Sequence, residues 1–406
     1  MNSLFLIFVY SIALLYESAS LARTDESDTQ YKCGKRQKVK DISARIINGT
    51  EALPEHWPWM VAFYNSNDTF ACGGVLIGEE HVVTAPHCFR NQDAHEFSVR
   101  LGTTLRTNVS QCYTPQESNI RDKKTRIAEV SPKLDEEYNE DSEIQVICVE
   151  VESFCTPIQD NCHLFMKDIA VVKLKTKVKY TDYIQPICLP ENCVDPPASS
   201  ASYVAGWGQI YEYHSLDEYE GYFEVEDEID DPQIQKPINK TSSEVTSVES
   251  QTEQGGIGFF RSANTLMERK MDLVDQEQCS AQMKSEVPGY IICTNGGSCR
   301  GDSGGPLMYE DNGRWTLIGV VSDGPDDCLY PERPTLFVKV SHFVDSLILK
   351  FMQAESNNDK NATCATDSAR KECVTRFLQF YNVSVEPVYF PKGSTFYQLY
   401  NMSAEP

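Results

Sequence analysis

The stretch Gly301-Asp302-Ser303-Gly304-Gly305-Pro306 decides how this chain is interpreted. Glycines beside a serine allow a tight turn that exposes the hydroxyl and directs neighbouring backbone N–H groups toward one point. A serine hydroxyl is a weak nucleophile, so it needs an adjacent base and donors for the oxyanion that forms when it attacks. The stretch therefore predicts a nucleophile at Ser303 and requires a base from elsewhere in the chain.

Two further motifs supply the missing groups. Val82-Val83-Thr84-Ala85-Pro86-His87-Cys88 places His87 at the end of a predicted strand, and Asp168-Ile169-Ala170-Val171-Val172 places Asp168 at the start of another. Each motif alone is more often structural, because buried histidines, exposed acids and glycine-rich turns are common in proteins. Their combination predicts nucleophilic catalysis, in which the histidine acts as the base and the acid orients it.

The order His87, Asp168, Ser303 and the motifs around these residues resemble the chymotrypsin/trypsin family of serine proteases, and the Cys-rich insertions and the Ile-Asn-Gly start at residues 47–49 resemble its divergent nematode-type members. The resemblance covers residues 46 to about 352. It implies that His87 is the general base, that Asp168 orients and stabilises its imidazolium, and that Ser303 is the nucleophile. It also implies an oxyanion hole made by the backbone N–H groups of Gly301 and Ser303.

The same resemblance implies an all-β fold with two antiparallel six-stranded β-barrels, the active site between them and a C-terminal helix. The sequence pattern also favours an all-β fold, because short apolar runs alternate with Gly, Pro and Asn. Ser341 is placed to cap the closing helix, whose apolar face begins at Phe343. The predicted strands are 57–64, 73–77, 82–85, 169–174, 203–207, 306–309, 315–322 and 336–340.

Composition excludes several classes of function. The 406 residues carry 60 acidic and 36 basic side chains, a formal net charge of −24. So acidic a chain does not match the basic surfaces that bind phosphate backbones, and we expect no nucleic-acid partner. The 15 cysteines lack the CxxC-type spacing of zinc sites, so we expect neither a metal nor another cofactor.

The N-terminus predicts secretion. Apolar residues dominate positions 4–15 and small residues follow at positions 18–20 and 22, which is typical of a secretory signal peptide comprising residues 1–22. A signal anchor is the alternative, but the apolar run is short for a bilayer span, and no other stretch is long enough to cross a membrane. Seven Asn-x-Ser/Thr sequons favour a secreted, extracellular glycoprotein.

A basic propeptide, residues 23–45, precedes the predicted protease domain of residues 46–352. Arg45-Ile46-Ile47-Asn48-Gly49 resembles the zymogen cleavage site of the family. The resemblance implies that an activating trypsin-like protease cuts after Arg45. The freed amine of Ile46 would then bury itself against Asp302 and order the oxyanion loop. The alternative is an exposed basic site in an ordinary loop.

The resemblance also implies four disulfides, of which the first would keep the propeptide attached after cleavage: Cys33–Cys188, Cys72–Cys88, Cys279–Cys293 and Cys299–Cys328. A local pair, Cys364–Cys373, is expected in the tail. Five cysteines then remain, so one thiol is either free or bonded to another chain. These five are Cys112, Cys148, Cys155, Cys162 and Cys193.

Alignment of the motifs places seven residues around the substrate pocket: Gly297, Ser298, Arg300, Ser322, Asp323, Gly324 and Thr335. Gly297 is expected at the base, where no carboxylate would pair a substrate Arg or Lys. Gly324 and Thr335 are expected on opposite walls, and Thr335 should restrict the pocket to small or medium apolar side chains. Arg300 at the rim is the alternative determinant, because it would attract an acidic residue. Asp323 replaces the usual Trp of the family and adds a charge beside the substrate backbone.

Two insertions, 103–165 and 211–254, and a glycosylated tail, 353–406, extend the predicted domain. The second insertion holds thirteen acidic residues against two basic ones, a net of −11, which predicts a solvated loop that steers basic partners, shields the cleft or is inert. We therefore expect a secreted serine endopeptidase that acts on proteins or peptides. The alternatives are a weak or inactive, protease-like binding protein and an adhesion or matrix protein that uses the acidic loop and the tail.

Overall fold

The computed structural model describes residues 33–36, 49–107, 112–114, 146–159, 162, 165–196, 200–215, 256–325, 333–354 and 364–382. The predicted signal peptide, the cleavage site at Arg45 and Ile46, and Cys328 lie outside these ranges. Among the helices within them, none is both long enough and apolar enough to span a bilayer.

The all-β prediction is confirmed, and each of the eight predicted strands corresponds to an observed one. In chain order the strands are β1 (Thr50–Glu51), β2 (Met60–Asn65), β3 (Phe70–Leu76), β4 (His81–Thr84), β5 (Phe97–Leu101), β6 (Ile147–Cys155), β7 (Ala170–Leu174), β8 (Ser202–Gly206), β9 (Gln209–Ser215), β10 (Gly256–Ser262), β11 (Met267–Met271), β12 (Leu273–Val274), β13 (Ile291–Thr294), β14 (Pro306–Asp311), β15 (Arg314–Asp323) and β16 (Thr335–Lys339).

The first half of the molecule is a closed antiparallel barrel with the strand order β2-β3-β4-β7-β6-β5. Fully buried Val61, Phe63 and Val83 contribute to its core. β-Branched and aromatic residues favour strands because they pack well on a pleated surface. Strands β4 and β7 are antiparallel neighbours, with Thr84 opposite Ala170. The end of β4 and the start of β7 therefore meet at one rim of the barrel.

The second half is an eight-stranded antiparallel sheet with the order β1-β11-β8-β14-β15-β16-β13-β12. It is a half-barrel rather than the predicted closed six-stranded barrel. Within the described residues its two edge strands do not pair with each other, since β1 pairs with β11 and β12 pairs with β13. The hairpin between β14 and β15 turns through Asn312 and Gly313, both with positive φ, as the Asp311-Asn312-Gly313 signal predicts.

The two predicted insertions contain regular structure where the structure describes them. The interval 103–165 includes the barrel strand β6, whose Cys148 is bonded to Cys112. The acidic interval begins inside β9, which forms a two-stranded ribbon with β10 and places Ser215 opposite Gly256. The remainder of the acidic run lies outside the described residues.

The described residues include the α-helices α1 (Gln276–Met283), α2 (Leu349–Ala354) and α3 (Asp367–Asn382). The segment before α2 is a 3₁₀ turn, Val340–His342, followed by a π-helix, Val344–Ile348. The prediction that Ser341 caps this helix is wrong. Ser341 is buried inside the 3₁₀ turn, and its hydroxyl has no hydrogen-bond partner among the described residues.

Disulfides join the tail to the barrel. The structure contains three of the four pairs implied by the resemblance, and Cys299 is also disulfide-bonded. The local pair Cys364–Cys373 is wrong, because Cys364 is bonded to Cys155 and Cys373 to Cys162. Cys364 lies before α3, and Cys373 packs near the buried Met166. Each of these two cysteines therefore reaches a cysteine on the barrel side and not the other cysteine of the tail. The exposed Cys193 is a free thiol.

Candidate active site

The site begins with His87, one turn after β4. Pro86 opens a 3₁₀ turn, Pro86–Phe89, and its fixed φ suits the first position of a helical turn. Cys88 is bonded to Cys72 on β3, which fixes the turn against the barrel. Among the described residues, the one group with the spacing of metal ligands is Cys72, His87 and Cys88. Both of its sulfurs belong to that disulfide, so the group does not fit a metal ion.

Asp168 lies two residues before the start of β7 and is completely buried. It accepts hydrogen bonds from His87 Nδ1 at 2.6 Å, from the His87 backbone N–H at 3.2 Å and from Ser322 Oγ at 2.7 Å. These donors fix the position of the carboxylate, which in turn orients the imidazole with Nδ1 toward the acid. Sequence reasoning placed Ser322 in the pocket, but the structure also makes it a partner of Asp168.

The pKa of His87 is raised above its ordinary value. Burial alone would lower it. The negative charge of Asp168, its hydrogen bond to the ring and the charge of Asp323 together outweigh burial, while Arg90 acts in the opposite direction. An imidazole that is stabilised as imidazolium in this way can accept a proton during a reaction.

The turn of Ser303 is docked onto the barrel by its backbone. Gly73 of β3 donates to the Ser303 carbonyl at 2.9 Å, and Gly304 donates to Val321 at 2.9 Å. Gly304 has φ +77 and lies so close to Thr84 and Gly73 that a Cβ would collide with both. This contact brings Ser303 to the rim where β4 ends. Among the described residues no hydrogen bond joins Ser303 Oγ to His87; such bonds are commonly long in unliganded sites.

The backbone of Gly301 is oriented by its neighbours. The carbonyl of Arg300 accepts from the Gln209 N–H at 2.8 Å. Because the peptide is planar and trans, the N–H of Gly301 points away from Gln209. Gly301 has φ +100, which favours glycine. Within the described part of the chain, the N–H groups of Gly301 and Ser303 have no hydrogen-bond acceptor, so both are available to an oxyanion.

Asp302 is directed away from Ser303, into the second half. Its carboxylate accepts from the Gly208 N–H and the Cys299 N–H, each at 2.8 Å. No cationic partner occurs among the described residues. Burial raises the pKa of this carboxyl to about 6, which the two hydrogen bonds only partly offset. A cavity of about 50 Å³ lined by Gly206 and Gly297, among others, opens beside it.

Comparison with known proteins identifies this arrangement. The trypsin family model matches residues 46–225 and 222–347. The chain belongs to the trypsin family. It is also similar to chymotrypsin-C of Bos taurus, with 27% identity over 324 residues, which cover 77% of this chain and 91% of the relative. At the level of the family, it is therefore a serine protease.

The pocket residues of this trypsin-family chain divide into two groups. Ser298 Oγ lies 3.3 Å from Thr335 Oγ1, and a Cβ at Gly324 would stand 3.1 Å from Ser298 Oγ. These three residues form one compact cluster. Gly297 does not belong to this cluster. A Cβ added to it would collide with the side chain of Met271, and the residue lines the cavity beside Asp302. Arg300 is exposed at the surface.

Asp323 does not present an isolated charge to the cleft of this trypsin-family chain. Its carboxylate is paired with the guanidinium of Arg333, and one of the two hydrogen bonds measures 3.2 Å. Arg333 also donates to the carbonyl of Gly324. Sequence reasoning missed Arg333, since nothing in the spacing connects it with Asp323, ten residues earlier.

Helix α3 is a second feature that sequence reasoning missed. The ring of Phe377 lies 5.7 Å from the ring of His87, centroid to centroid, with 32° between their planes. Phe377 is 2% exposed. The signal was present, because Arg370, Cys373, Val374 and Phe377 share one helical face by their i, i+3, i+4, i+7 spacing. The predicted tail therefore reaches the catalytic region.

Proposed function

We propose that this chain is a secreted serine endopeptidase, made as a zymogen and activated by cleavage after Arg45. The observation that carries the proposal is the buried Asp168, which is hydrogen-bonded to both His87 and Ser322 beside the turn of Ser303. A domain that only binds has no physical need for a histidine oriented by a buried carboxylate next to a half-buried serine turn.

In the acylation step, His87 Nε2 removes the proton of Ser303 Oγ as that oxygen attacks the carbonyl carbon of the substrate. The carbonyl oxygen becomes an oxyanion and accepts hydrogen bonds from the N–H groups of Gly301 and Ser303. Asp168 stabilises the imidazolium that forms. His87 then donates its proton to the leaving amine, the C–N bond breaks, and an acyl-enzyme remains on Ser303.

In the deacylation step, water replaces the amine. His87 removes a proton from the water, whose oxygen attacks the acyl carbon. The tetrahedral intermediate again uses the two backbone N–H groups. It collapses with return of the proton from His87 to Ser303 Oγ, which releases the carboxylic acid product and regenerates the serine.

The environment of Asp302 supports activation by cleavage. A buried carboxylate with two N–H donors, and a pKa of about 6, is stabilised in its charged form by a nearby cation. The new amine of Ile46, freed by an activating trypsin-like protease, would be that cation. Its pairing with Asp302 would hold the Ser303 turn in place.

The propeptide would stay attached after this cleavage. Cys33 is bonded to Cys188. In addition, the Arg36 guanidinium lies 4.6 Å from the ring centre of Trp57 and 4.5 Å from that of Trp315, and such cation–π contacts bind the segment without a covalent link. Secretion is supported by these disulfides, which persist in oxidising compartments, and by the N-terminal sequence.

The pocket supports a preference for small or medium apolar side chains rather than Arg or Lys. The described cluster of Ser298, Gly324 and Thr335 carries no charge, and its hydroxyls are engaged with each other. Cleavage of a peptide library tests this preference. Strong cleavage after Arg or Lys would contradict it.

A second function is favoured by one observation. The guanidinium of Arg333 donates a hydrogen bond to the carbonyl of Gly324, which lies in the segment that would pair with the substrate backbone. If that contact persists on binding, the chain would be a protease-like binding protein with little or no activity.

Labelling with a fluorophosphonate probe separates the two functions. The full chain is cleaved after Arg45 and exposed to the probe, with Ser303→Ala as the matched control. We expect the cleaved wild type to be labelled, and neither the control nor the uncleaved chain to react at a comparable rate. A folded, correctly cleaved protein that is not labelled would contradict the protease and leave the binding protein as the better hypothesis.

A further inference from the structure

We infer that helix α3 forms a wall of the active-site cleft, and that its Phe377 makes the space beside His87 a narrow subsite that selects substrates with small side chains. This inference rests on the proposed function. It concerns which substrates the site accepts, rather than the reaction.

Helix α3 is fixed to the barrel by several independent contacts. Disulfides join Cys155 to Cys364 and Cys162 to Cys373, before and within the helix. The guanidinium of Arg370, only 4% exposed as a residue, donates to the carbonyls of Arg90 at 2.9 Å and Gln92 at 3.0 Å. A helix with this many buried and covalent attachments is part of the folded domain.

The attachments concentrate on the segment that carries His87. Arg90 and Gln92 directly follow the 3₁₀ turn that holds the histidine. Lys371 forms an ion pair with Asp93 at 2.7 Å, in the same segment. The helix and the histidine turn are therefore held as one unit, and the position of Phe377 relative to the imidazole is set by contacts from the helical turns that precede it.

Phe377 covers part of the imidazole. It is buried with Met166, Cys373 and Val374 in a small apolar cluster, and the His87 side chain is 12% exposed. The scissile bond must lie between Ser303 Oγ and His87 Nε2, so the residues flanking that bond pass within contact of the imidazole. The volume of the Phe377 ring is then unavailable to the substrate residue on that side.

The wall does not seal the cleft. A cavity of about 270 Å³ remains between the start of α3 and the segment that follows β6, and it reaches Pro86, the residue before His87. Pro157, Ile158 and Val374 are among its apolar lining residues. Space therefore remains beside the histidine turn, but the substrate residue that packs on the imidazole next to Phe377 has to be small. Glycine, alanine and serine meet this condition, whereas leucine and phenylalanine do not.

A selectivity measurement on the full chain tests the inference. Wild type and Phe377→Ala are cleaved after Arg45, and kcat/KM is measured on peptides that differ only in a small or a bulky residue at each position flanking the scissile bond. We expect Phe377→Ala to raise kcat/KM for bulky residues at one flanking position by about tenfold or more, with small residues changed by less than about threefold.

Arg376→Ala is the matched control, because Arg376 is the exposed neighbour of Phe377 and pairs only with Glu372 among the described residues. Phe377→Val should give an intermediate gain. Thermal unfolding of each variant reports whether α3 stays docked. Three results for Phe377→Ala would each overturn the inference. They are a loss of stability together with a loss of activity on all peptides, an equal gain on small and bulky peptides, and an unchanged selectivity.

The fluorophosphonate probe separates this inference from the proposed function. The probe is small, so it reaches Ser303 without placing a side chain against Phe377. A cleaved wild type that the probe does not label overturns both. A labelled wild type whose selectivity Phe377→Ala leaves unchanged overturns only the narrow subsite.

Discussion

The two halves of this molecule contribute to the site in different ways. The barrel supplies side chains, His87 and Asp168, whose chemistry depends on which residue stands there. The eight-stranded half supplies the proposed nucleophile Ser303 and, beside it, a contribution that comes from backbone: the N–H groups of Gly301 and Ser303, of which the first is oriented by the bond from Gln209 to the carbonyl of Arg300. A site of this kind can be damaged by removing a functional group in one half or by adding a single methyl group in the other.

The largest effect is expected from the barrel. His87→Ala removes the proposed base and should lower kcat/KM by about four to six orders of magnitude without a change in the folded state. Peptide hydrolysis and circular dichroism measure the two quantities. His95→Ala is the control, because His95 is a histidine of the same half that lies outside the site. Equal losses in both variants would contradict the assignment of the base.

A smaller effect is expected from backbone geometry in the other half. Gly301→Ala strains a residue at φ +100 and disturbs one oxyanion donor, so kcat should fall by about 10²- to 10³-fold. Gly313→Ala is the control, because Gly313 also has positive φ but no neighbours within 4 Å of the added Cβ. If kcat falls equally in the two variants, general backbone strain rather than the oxyanion hole explains the loss.

Asp302 gives a stability effect that changes with pH. In the uncleaved chain its pKa is raised from 3.8 to about 6, so the folded state binds the proton more tightly than the unfolded state. The stability that this provides is present below about pH 4 and is lost as the pH rises to about 6. Asp302→Asn should therefore stabilise the uncleaved chain at pH 7.5, by about 1 to 3 kcal/mol, and have little effect at pH 4.

Urea unfolding at the two pH values measures this difference. After cleavage the sign should reverse, because the neutral amide of the Asp302→Asn variant would no longer form an ion pair with the Ile46 amine. An uncleaved variant that is less stable than wild type at pH 7.5 would contradict the account of a buried carboxylate without a cation.

The smallest effect concerns the pH profile. The charge of Asp323 raises the pKa of His87, and Arg90 lowers it. Since the base must be neutral to accept a proton, Asp323→Asn should extend activity to lower pH, and Arg90→Gln should shift the acid limb of the kcat/KM profile to higher pH. Shifts of the same sign in the two variants would contradict this balance.

The sequence was sufficient to predict what depends on local motifs. The strands around His87, Asp168 and Ser303 lie where the apolar runs indicated, and the hairpin at Asn312 and Gly313 follows from its turn residues. These features are determined by a few consecutive residues, so reading along the chain is enough to find them.

What the sequence did not predict depends on contacts between distant segments. Arg333 forms an ion pair with Asp323 at the end of β15, although ten residues separate the two in the sequence. Likewise, the sequence separation of Cys364 and Cys373 suggests a local pair. In the folded chain Cys364 is bonded to Cys155 and Cys373 to Cys162, both of which are distant in the sequence. The position of α3 beside His87 depends on those two bonds and on the contacts of Arg370 and Lys371 with the segment after the histidine, and no local pattern specifies it.

The most direct test of the account is to trap the acyl-enzyme. The full chain is cleaved after Arg45 and mixed rapidly with an activated ester of a small apolar amino acid, and the acid-quenched protein is examined by intact and peptide mass spectrometry. The account predicts one acyl group per molecule, located on Ser303 and absent from His87→Ala. No acyl group on the correctly cleaved protein, or an acyl group on a different residue, would contradict it.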